Sequence, residues 1–360
     1  MSVATTEAKA ESNILALMEQ MGHEKILFFN DKETSLKGVI AVHDTTLGPA
    51  LGGCRIWHYQ HESDAVWDVL RLSRGMTFKS AISGINLGGG KAVIINTNKD
   101  QRTEKFWRKF GDTVETLGGK YITAEDVGTS TREIAYIMQS TKHVSGKPKE
   151  AGGLGDPSPF TAYGVFLGLK ASAKEAFGSD DLSGKKVAVQ GIGHVGKYLV
   201  GHLTKAGAKV TISDINADNL KEVANEYGAA MIGVDEIYDQ DMDIYAPCAL
   251  GATVNTDTIK RLKCAVIAGA ANNQLADEQL HGQMLLDKGI IYAPDFLINA
   301  GGVINCYREV KNLTEQETQK YIDDIYNKTL QIFARAKEEK VPTQEAAIRI
   351  AQERILRAKN

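Results

Sequence analysis

Two periods alternate along this chain, and the points where one gives way to the other outline its elements. Ile26-Leu27-Phe28-Phe29 and Val39-Ile40-Ala41-Val42 are short apolar runs bounded by turn formers, Asn30-Asp31 and Asp44-Thr45, which predicts strands. Behind Ser63, apolar Ala65, Val66, Val69, Leu70 and Leu72 recur at helical spacing, predicting a long helix that delivers the chain to Met76 and Lys79. An earlier helix, capped by Ser12 or Asn13, should run to about Met21 and stop at Gly22. Between these, residues 46–55 read as a glycine-rich loop entering a short strand. Lys91–Ile95 reads as a buried strand, Thr103–Leu117 as an amphipathic helix, Lys120–Thr123 as a strand and Ser130–Ser140 as a helix.

Residues 145–159 interrupt this rhythm with four glycines and three prolines, the composition of a hinge or a substrate-facing loop. From Phe160 onward, strands of three to five residues alternate with helices, among them Asp235–Tyr238, until about Ala293. The first two of these strands are Lys186–Gln190 and Lys209–Ser213. Strict strand–helix alternation implies a parallel, doubly wound sheet. Residues 314–360 read as helices rich in Lys, Glu, Ile and Ala, with Pro342 separating the last two.

Composition narrows the classes. The chain has 360 residues, enough for two domains, and its 43% hydrophobic and 24% charged content suits a soluble globular protein. A net charge of -3 gives no basic bias toward nucleic acid or an anionic membrane. Residues 1–11 form a polar leader without an apolar core, unlike a secretory signal, and no apolar run is long enough for a membrane span. The four cysteines form no CxxC pair, so a reduced, cytoplasmic setting is expected, with the thiols packing as small apolar groups. His58 and His61 lack a third ligand and read as surface residues; no metal is expected.

Two stretches carry candidate chemistry. In the first, Gly191-Ile192-Gly193-His194-Val195-Gly196 follows the strand Val187–Gln190 directly and opens a helix. Gly191 permits the tight turn, Gly193 a close backbone approach to a pyrophosphate, and Gly196 the packing of helix on strand. His194 occupies a variable position of the motif. The next strand ends at Asp214, eighteen residues beyond Gly196. A carboxylate there can bind the ribose 2′-hydroxyl and repel a 2′-phosphate, which favours NAD over NADP. A similar sheet that binds another nucleotide, or none, is the alternative.

The second stretch holds Lys79 and Lys91, set in apolar and glycine-rich surroundings. A lysine held there has its charged form disfavoured, which suits a base or an anion anchor; the alternative is that both ammonium groups reach water past buried stems. The glycines between them are expected to let the backbone approach substrate and cofactor.

Seven stretches lie in order along the chain: 47–53 (LGPALGG), 74–79 (RGMTFK), 87–91 (LGGGK), 121–128 (YITAEDVG), 191–196 (GIGHVG), 271–275 (ANNQL) and 299–305 (NAGGVIN). Together they resemble the amino-acid dehydrogenases of the glutamate, leucine, phenylalanine and valine group, and most nearly its leucine-acting branch. The resemblance implies NAD-dependent, reversible oxidative deamination of an L-amino acid to a 2-oxo acid and ammonia, with branched-chain substrates expected. It implies that Lys79 holds the substrate carboxylate, that Lys91 activates water, and that Asp126 moves protons to and from the amino nitrogen. Gly52, through its backbone, and Asn273 would contact the main part of the substrate. Leu51, Ala124, Val303 and Cys306 would line its side chain. No lysine stands out among those four to grip a second carboxylate, which argues against glutamate. Cys306 departs from the valine expected at its position, a change of similar bulk.

On the same grounds, residues 1–147 would form a substrate-binding and oligomerisation domain joined by helices 330–360, and residues 148–329 an NAD-binding Rossmann domain. The assembly would be a homo-oligomer, an octamer in many members. Two alternatives remain open at this point: a phenylalanine dehydrogenase, and a non-catalytic nucleotide- or metabolite-binding regulator on the same fold. Asp126 could also be a turn or helix-capping aspartate, given Thr129 and Ser130 just beyond it.

Overall fold

The structure, a computed structural model, describes residues 13–95 and 97–359. The expected leader over 1–11, and Ser12 as a candidate cap, lie outside the described residues. The chain divides into two compact units. One comprises residues up to Asp156 together with Cys306–Leu313 and the chain from Gln352 onward; the other comprises Pro157–Asn305 and Thr314–Ala351.

The first unit is built on a five-stranded mixed sheet: β1 (Lys25–Asp31), β2 (Leu36–Asp44), β3 (Ala50–Trp57), β4 (Gly88–Ile95) and β5 (Tyr121–Glu125), in the order β1-β2-β4-β3-β5. β1 and β2 form an antiparallel hairpin, β4 joins β2 antiparallel, and β3 lies parallel to both β4 and β5. The side-chain alternation of strands sorts the core into two layers. Ile40, Val42, Cys54, Ala92 and Ile94 face Phe106, Trp107 and Phe110 of the helix Glu104–Glu115. Val39, Ala41, Val93 and Ile95 face Ala65, Val66, Val69 and Leu70 of the helix Glu62–Ser83.

Two glycine-rich segments turn out to be strand. Residues 50–53, read as part of a loop entering a strand, already lie in β3, and Gly88–Gly90 lie in β4 ahead of the expected strand start at Lys91. A side chain would fit at none of Gly88, Gly89 and Gly90. An added Cβ would lie 2.1 Å from the Asp44 carbonyl at Gly88, 2.1 Å from the Thr77 nitrogen at Gly89 and 2.6 Å from the Tyr121 ring at Gly90. These glycines therefore make room for protein: a neighbouring strand, the helix Glu62–Ser83 and a buried tyrosine. The helix also runs further than expected, so that Lys79 sits within it. Gly84, with a φ of 85°, ends it.

The second unit holds six parallel strands: β6 (Lys186–Gln190), β7 (Lys209–Ser213), β8 (Ala230–Met231), β9 (Ile244–Pro247), β10 (Val266–Ile267) and β11 (Ile291–Tyr292). Their spatial order, β8-β7-β6-β9-β10-β11, is 3-2-1-4-5-6 counted within the sheet, the dinucleotide-binding arrangement. The expected helix Asp235–Tyr238 is a short 3-10 turn, Glu236–Asp239. The helices Asp295–Ile298 and Gly301–Lys311 were not foreseen. Residues 299–305 therefore run from a helix end into a second helix. The long helix Glu315–Glu339 packs on the helix Ser158–Phe177 of its own unit. Of the terminal residues expected to join the first unit, 330–351 group with the second and only those from Gln352 onward with the first.

Candidate active site

Within the first unit, three neighbouring elements carry charges toward one another. Lys91 lies in β4 among residues that alternate toward the helix Glu62–Ser83, since Val93 and Ile95 pack there. Arg55 follows on β3, registered with Val93 across the parallel pair. Asp126 stands one residue past the end of β5. Gly53 is what admits it: a Cβ there would come within 2.8 Å of the Asp126 Cβ and 2.3 Å of the Glu125 carbonyl.

The buried Lys91 ammonium forms an ion pair with Asp126 Oδ2. Arg55 Nε lies 3.5 Å from the same oxygen. Burial alone would raise the Asp126 pKa, but attraction to Lys91 and then to Arg55 outweighs it and lowers the carboxyl to about 2. The group touching Lys91 is thus an anion, with a further cation behind it. The Asp126 main chain is held separately. Its N–H donates to Thr129 Oγ1 at 2.8 Å, and its carbonyl accepts from the Thr129 N–H at 2.9 Å. Capping of the next helix falls to Ser130 and Glu133, so the Asp126 carboxylate serves no cap.

Lys79 is half-buried on the penultimate turn of its helix, and its carbonyl accepts from Ser83 Oγ at 2.6 Å. Gly52 is buried in β3 and its carbonyl accepts from the Tyr121 hydroxyl at 2.6 Å. A Cβ on Gly52 would lie 1.7 Å from the Gly90 carbonyl, so only glycine fits. Leu51 and Ala124 share one face of the sheet, because Leu51 pairs with Ile122 and Gly53 with Ala124. Cys306, also in this unit, is half-buried; burial raises its thiol to about 11 and Lys79 is among the charges acting on it. The residue that sequence reasoning passed over is Arg55. Its only signal was its place at the end of the LGPALGGCR segment, and a single arginine on a strand does not announce a buried partner.

In the second unit, the β6 turn meets the demands of a pyrophosphate. Gly191 has a φ of 93°, and a Cβ on Gly196 would fall 2.1 Å from the Gly191 carbonyl. Gly193 begins the helix His194–Lys205 with no side-chain cap, leaving the first N–H groups facing outward. A Cβ built on Gly193 meets nothing within 4 Å, so there is open space in front of that helix end, where an anion is favoured. Ile192 is buried, whereas Gly193 and His194 are exposed and Val195 is half-exposed. Asp214 terminates β7; its Oδ2 accepts from the Ile192 N–H at 2.7 Å and its Oδ1 from the Asn216 N–H at 2.8 Å. The carboxylate is thereby fixed beside the turn. Asn273 is exposed, at a φ of 52°, and Val303 is buried in the helix Gly301–Lys311.

Residues 23–143 match the family model described as the Glu/Leu/Phe/Val dehydrogenase dimerisation domain, and residues 152–360 match that of the Glutamate/Leucine/Phenylalanine/Valine dehydrogenases. The chain belongs to the glutamate/leucine/phenylalanine/valine dehydrogenase family. Membership makes it an NAD-dependent amino-acid dehydrogenase, its second unit supplying the dinucleotide-binding fold. It is 50% identical to the leucine dehydrogenase of Thermoactinomyces intermedius over 95% of this chain and 93% of that one. It is also 50% identical to the leucine dehydrogenase of Geobacillus stearothermophilus, over 94% and 92%. The crystal structure of L-tryptophan dehydrogenase from Nostoc punctiforme superimposes with a TM-score of 0.84 at 46% identity, covering 96% of this chain and 99% of that one. None of the described helices is long and apolar enough to cross a membrane.

Proposed function

We propose that this family member carries out reversible, NAD-dependent oxidative deamination of branched-chain L-amino acids, L-leucine together with valine and isoleucine, to 2-oxo acids and ammonia. The observation that carries the chemistry is the buried Lys91–Asp126 pair; the half identity to two leucine dehydrogenases carries the choice of substrate.

NAD, when bound, takes the hydride from the substrate α-carbon. The turn Gly191–Gly196, with Ile192, His194 and Val195 among its residues, and Asp214 would hold it. The remaining chemistry belongs to the protein: a water must lose a proton to attack an iminium, and the amino nitrogen must gain one to leave. Lys91 must first give up its ammonium proton; as the neutral amine it takes the proton from water, and Asp126, in contact with it, carries protons to and from nitrogen. Lys79 receives the substrate carboxylate and so orients the α-carbon. Leu51, Ala124 and Cys306 in the first unit accept an aliphatic side chain. They carry no charge, so a second carboxylate would find no partner among them. The parts given to Gly52, Asn273 and Val303 rest on family resemblance. We further assign a homo-oligomer, an octamer, working in the cytoplasm, where the four free thiols stay reduced.

The test is turnover by the purified enzyme of L-leucine, valine, isoleucine, phenylalanine and tryptophan with NAD and NADP. The expected order of kcat/KM places the branched-chain substrates first. An aromatic substrate in that place overturns the substrate assignment, and NAD binding without turnover of any amino acid revives the regulator. Lys91→Ala should lose about 10²–10⁴ in kcat while NAD still binds.

A further inference from the structure

Asp126 does not meet Lys91 alone. Arg55 Nε approaches the same carboxylate oxygen to 3.5 Å, and the other end of that guanidinium is anchored: Arg55 Nη1 lies 3.2 Å from Asp68 Oδ2. Asp68 in turn accepts from the Tyr59 hydroxyl at 2.7 Å and from Arg71 Nη2 at 2.9 Å. Three of these side chains are well shielded, Arg55 at 22% exposure, Asp126 at 19% and Asp68 at 16%. A surface ion pair of this length would contribute little, but screening is weak where water is excluded. Asp68 sits on the helix Glu62–Ser83, eleven residues before Lys79. Eleven residues are close to three full turns, so the two lie on one stripe of the helix, ~16 Å apart. Arg55 therefore connects the helix that bears Lys79 to the carboxylate that touches Lys91.

We propose that Arg55 is a positioning residue for the deamination: it clamps the Asp126 carboxylate against Lys91, with Asp68 as its anchor, and supplies a second positive charge beside that carboxylate. The proposal rests on the roles given above to Lys91 and Asp126. Arg55 has the geometry for both duties. Its planar fork reaches two carboxylates at once, which a lysine ammonium on a shorter reach cannot reproduce. The charged and titratable groups that interact electrostatically with Asp126 are Lys91 from β4, Arg55 and Cys54 from β3, Tyr59 beyond β3 and Tyr121 from β5. Lys91 and Arg55 are the cations among them. Arg55 helps to hold the Asp126 carboxyl low, so removing that cation raises the carboxyl, and the limb on which the rate rises with pH moves to higher pH with it.

The experiment compares wild type, Arg55→Gln, Arg55→Lys and Asp126→Asn as full-length enzymes, with pH profiles of kcat and kcat/KM for L-leucine and with NAD binding measured separately. Arg55→Gln is expected to lower kcat at least tenfold and to move the rising limb of kcat/KM up by about one pH unit, leaving NAD affinity unchanged. Arg55→Lys should return the limb toward its wild-type position while kcat stays low, since charge is restored without the two-carboxylate clamp. A merely structural role would lower activity without moving the limb. An Arg55→Gln profile with the wild-type limb, in an enzyme whose Asp126→Asn variant is inactive, overturns the proposal alone. Asp126→Asn with wild-type turnover overturns the role of Asp126 and this proposal with it. Should Arg55→Gln fail to fold, Arg55→Lys decides: full wild-type kcat in that variant refutes the clamp.

Discussion

Arg354, on the last helix of the chain, Thr343–Lys359, holds the end of the helix that carries Lys79. Its Nη1 donates to the carbonyls of Ala81 at 3.0 Å, Ile85 at 2.8 Å and Ser80 at 3.3 Å; its Nη2 donates to the Gly84 carbonyl at 3.0 Å and to Asn86 Oδ1 at 2.8 Å. Helix C-termini leave carbonyls without intrahelical partners, and a cation is favoured there. Arg354→Ala removes the donor from all five acceptors. A hydrogen bond to a charged group contributes about 1.5–3 kcal/mol, but five bonds to one half-buried group share a single charge and do not add, so the expected loss is about 2–4 kcal/mol. For a unit of this size that lowers Tm by about 5–12 °C. Calorimetry checks the stability. Steady-state kinetics checks the consequence for Lys79, one turn before the helix end: KM for the amino acid should rise several-fold while KM for NAD holds. Arg354→Lys, which keeps the charge and loses the fork, should fall between. A Tm within 2 °C of wild type, at ~0.5 kcal/mol or less, would refute the reasoning.

Two further outcomes follow from single carboxylates. Asp214 is fixed beside the nucleotide turn, so Asp214→Ala should lower the ratio of kcat/KM with NAD to that with NADP by at least tenfold; an unchanged ratio would place cofactor choice elsewhere. Glu125 is raised from 4.5 to about 7, by burial first and then by Asp156 and Glu133. Between those two pH values the unfolded chain releases the proton while the native state keeps it. The native state therefore gains stability from Glu125 below about 4.5 and loses it as pH rises through 7. Glu125→Gln should thus be the more stable form at pH 8, by about 1 kcal/mol after allowance for solvent screening of a half-exposed group, with the advantage gone near pH 4. Urea midpoints at the two pH values measure this.

Much of the molecule is local and could be read from the chain. The apolar run of β2 and the helical spacing behind Ser63 predicted both elements, because such patterns are properties of neighbouring residues. The strand, glycine turn, helix and Asp214 of the second unit form one contiguous segment, and the strand bounds of β6 and β7 were met as expected. Lys79, Lys91 and Asp126 could be named from motifs.

What they touch was decided only by tertiary structure. The glycines at 88–90 leave room for a helix, a strand and a tyrosine ring of the protein itself. Nothing adjacent in sequence says that Gly89 will meet Thr77, or that Gly53 will leave room for Asp126. Arg55 and Arg354 escaped notice for the same reason. A long cation on a strand or helix looks like solvated surface until its partners are known, and those partners lie 71 residues away for Arg55 and Asp126 and 270 for Arg354 and Gly84. Hydrophobic periodicity records which face of an element is buried. It carries no record of which charge on a distant element arrives opposite, because pairing energies of that kind exist only once the sheet has set the strand order.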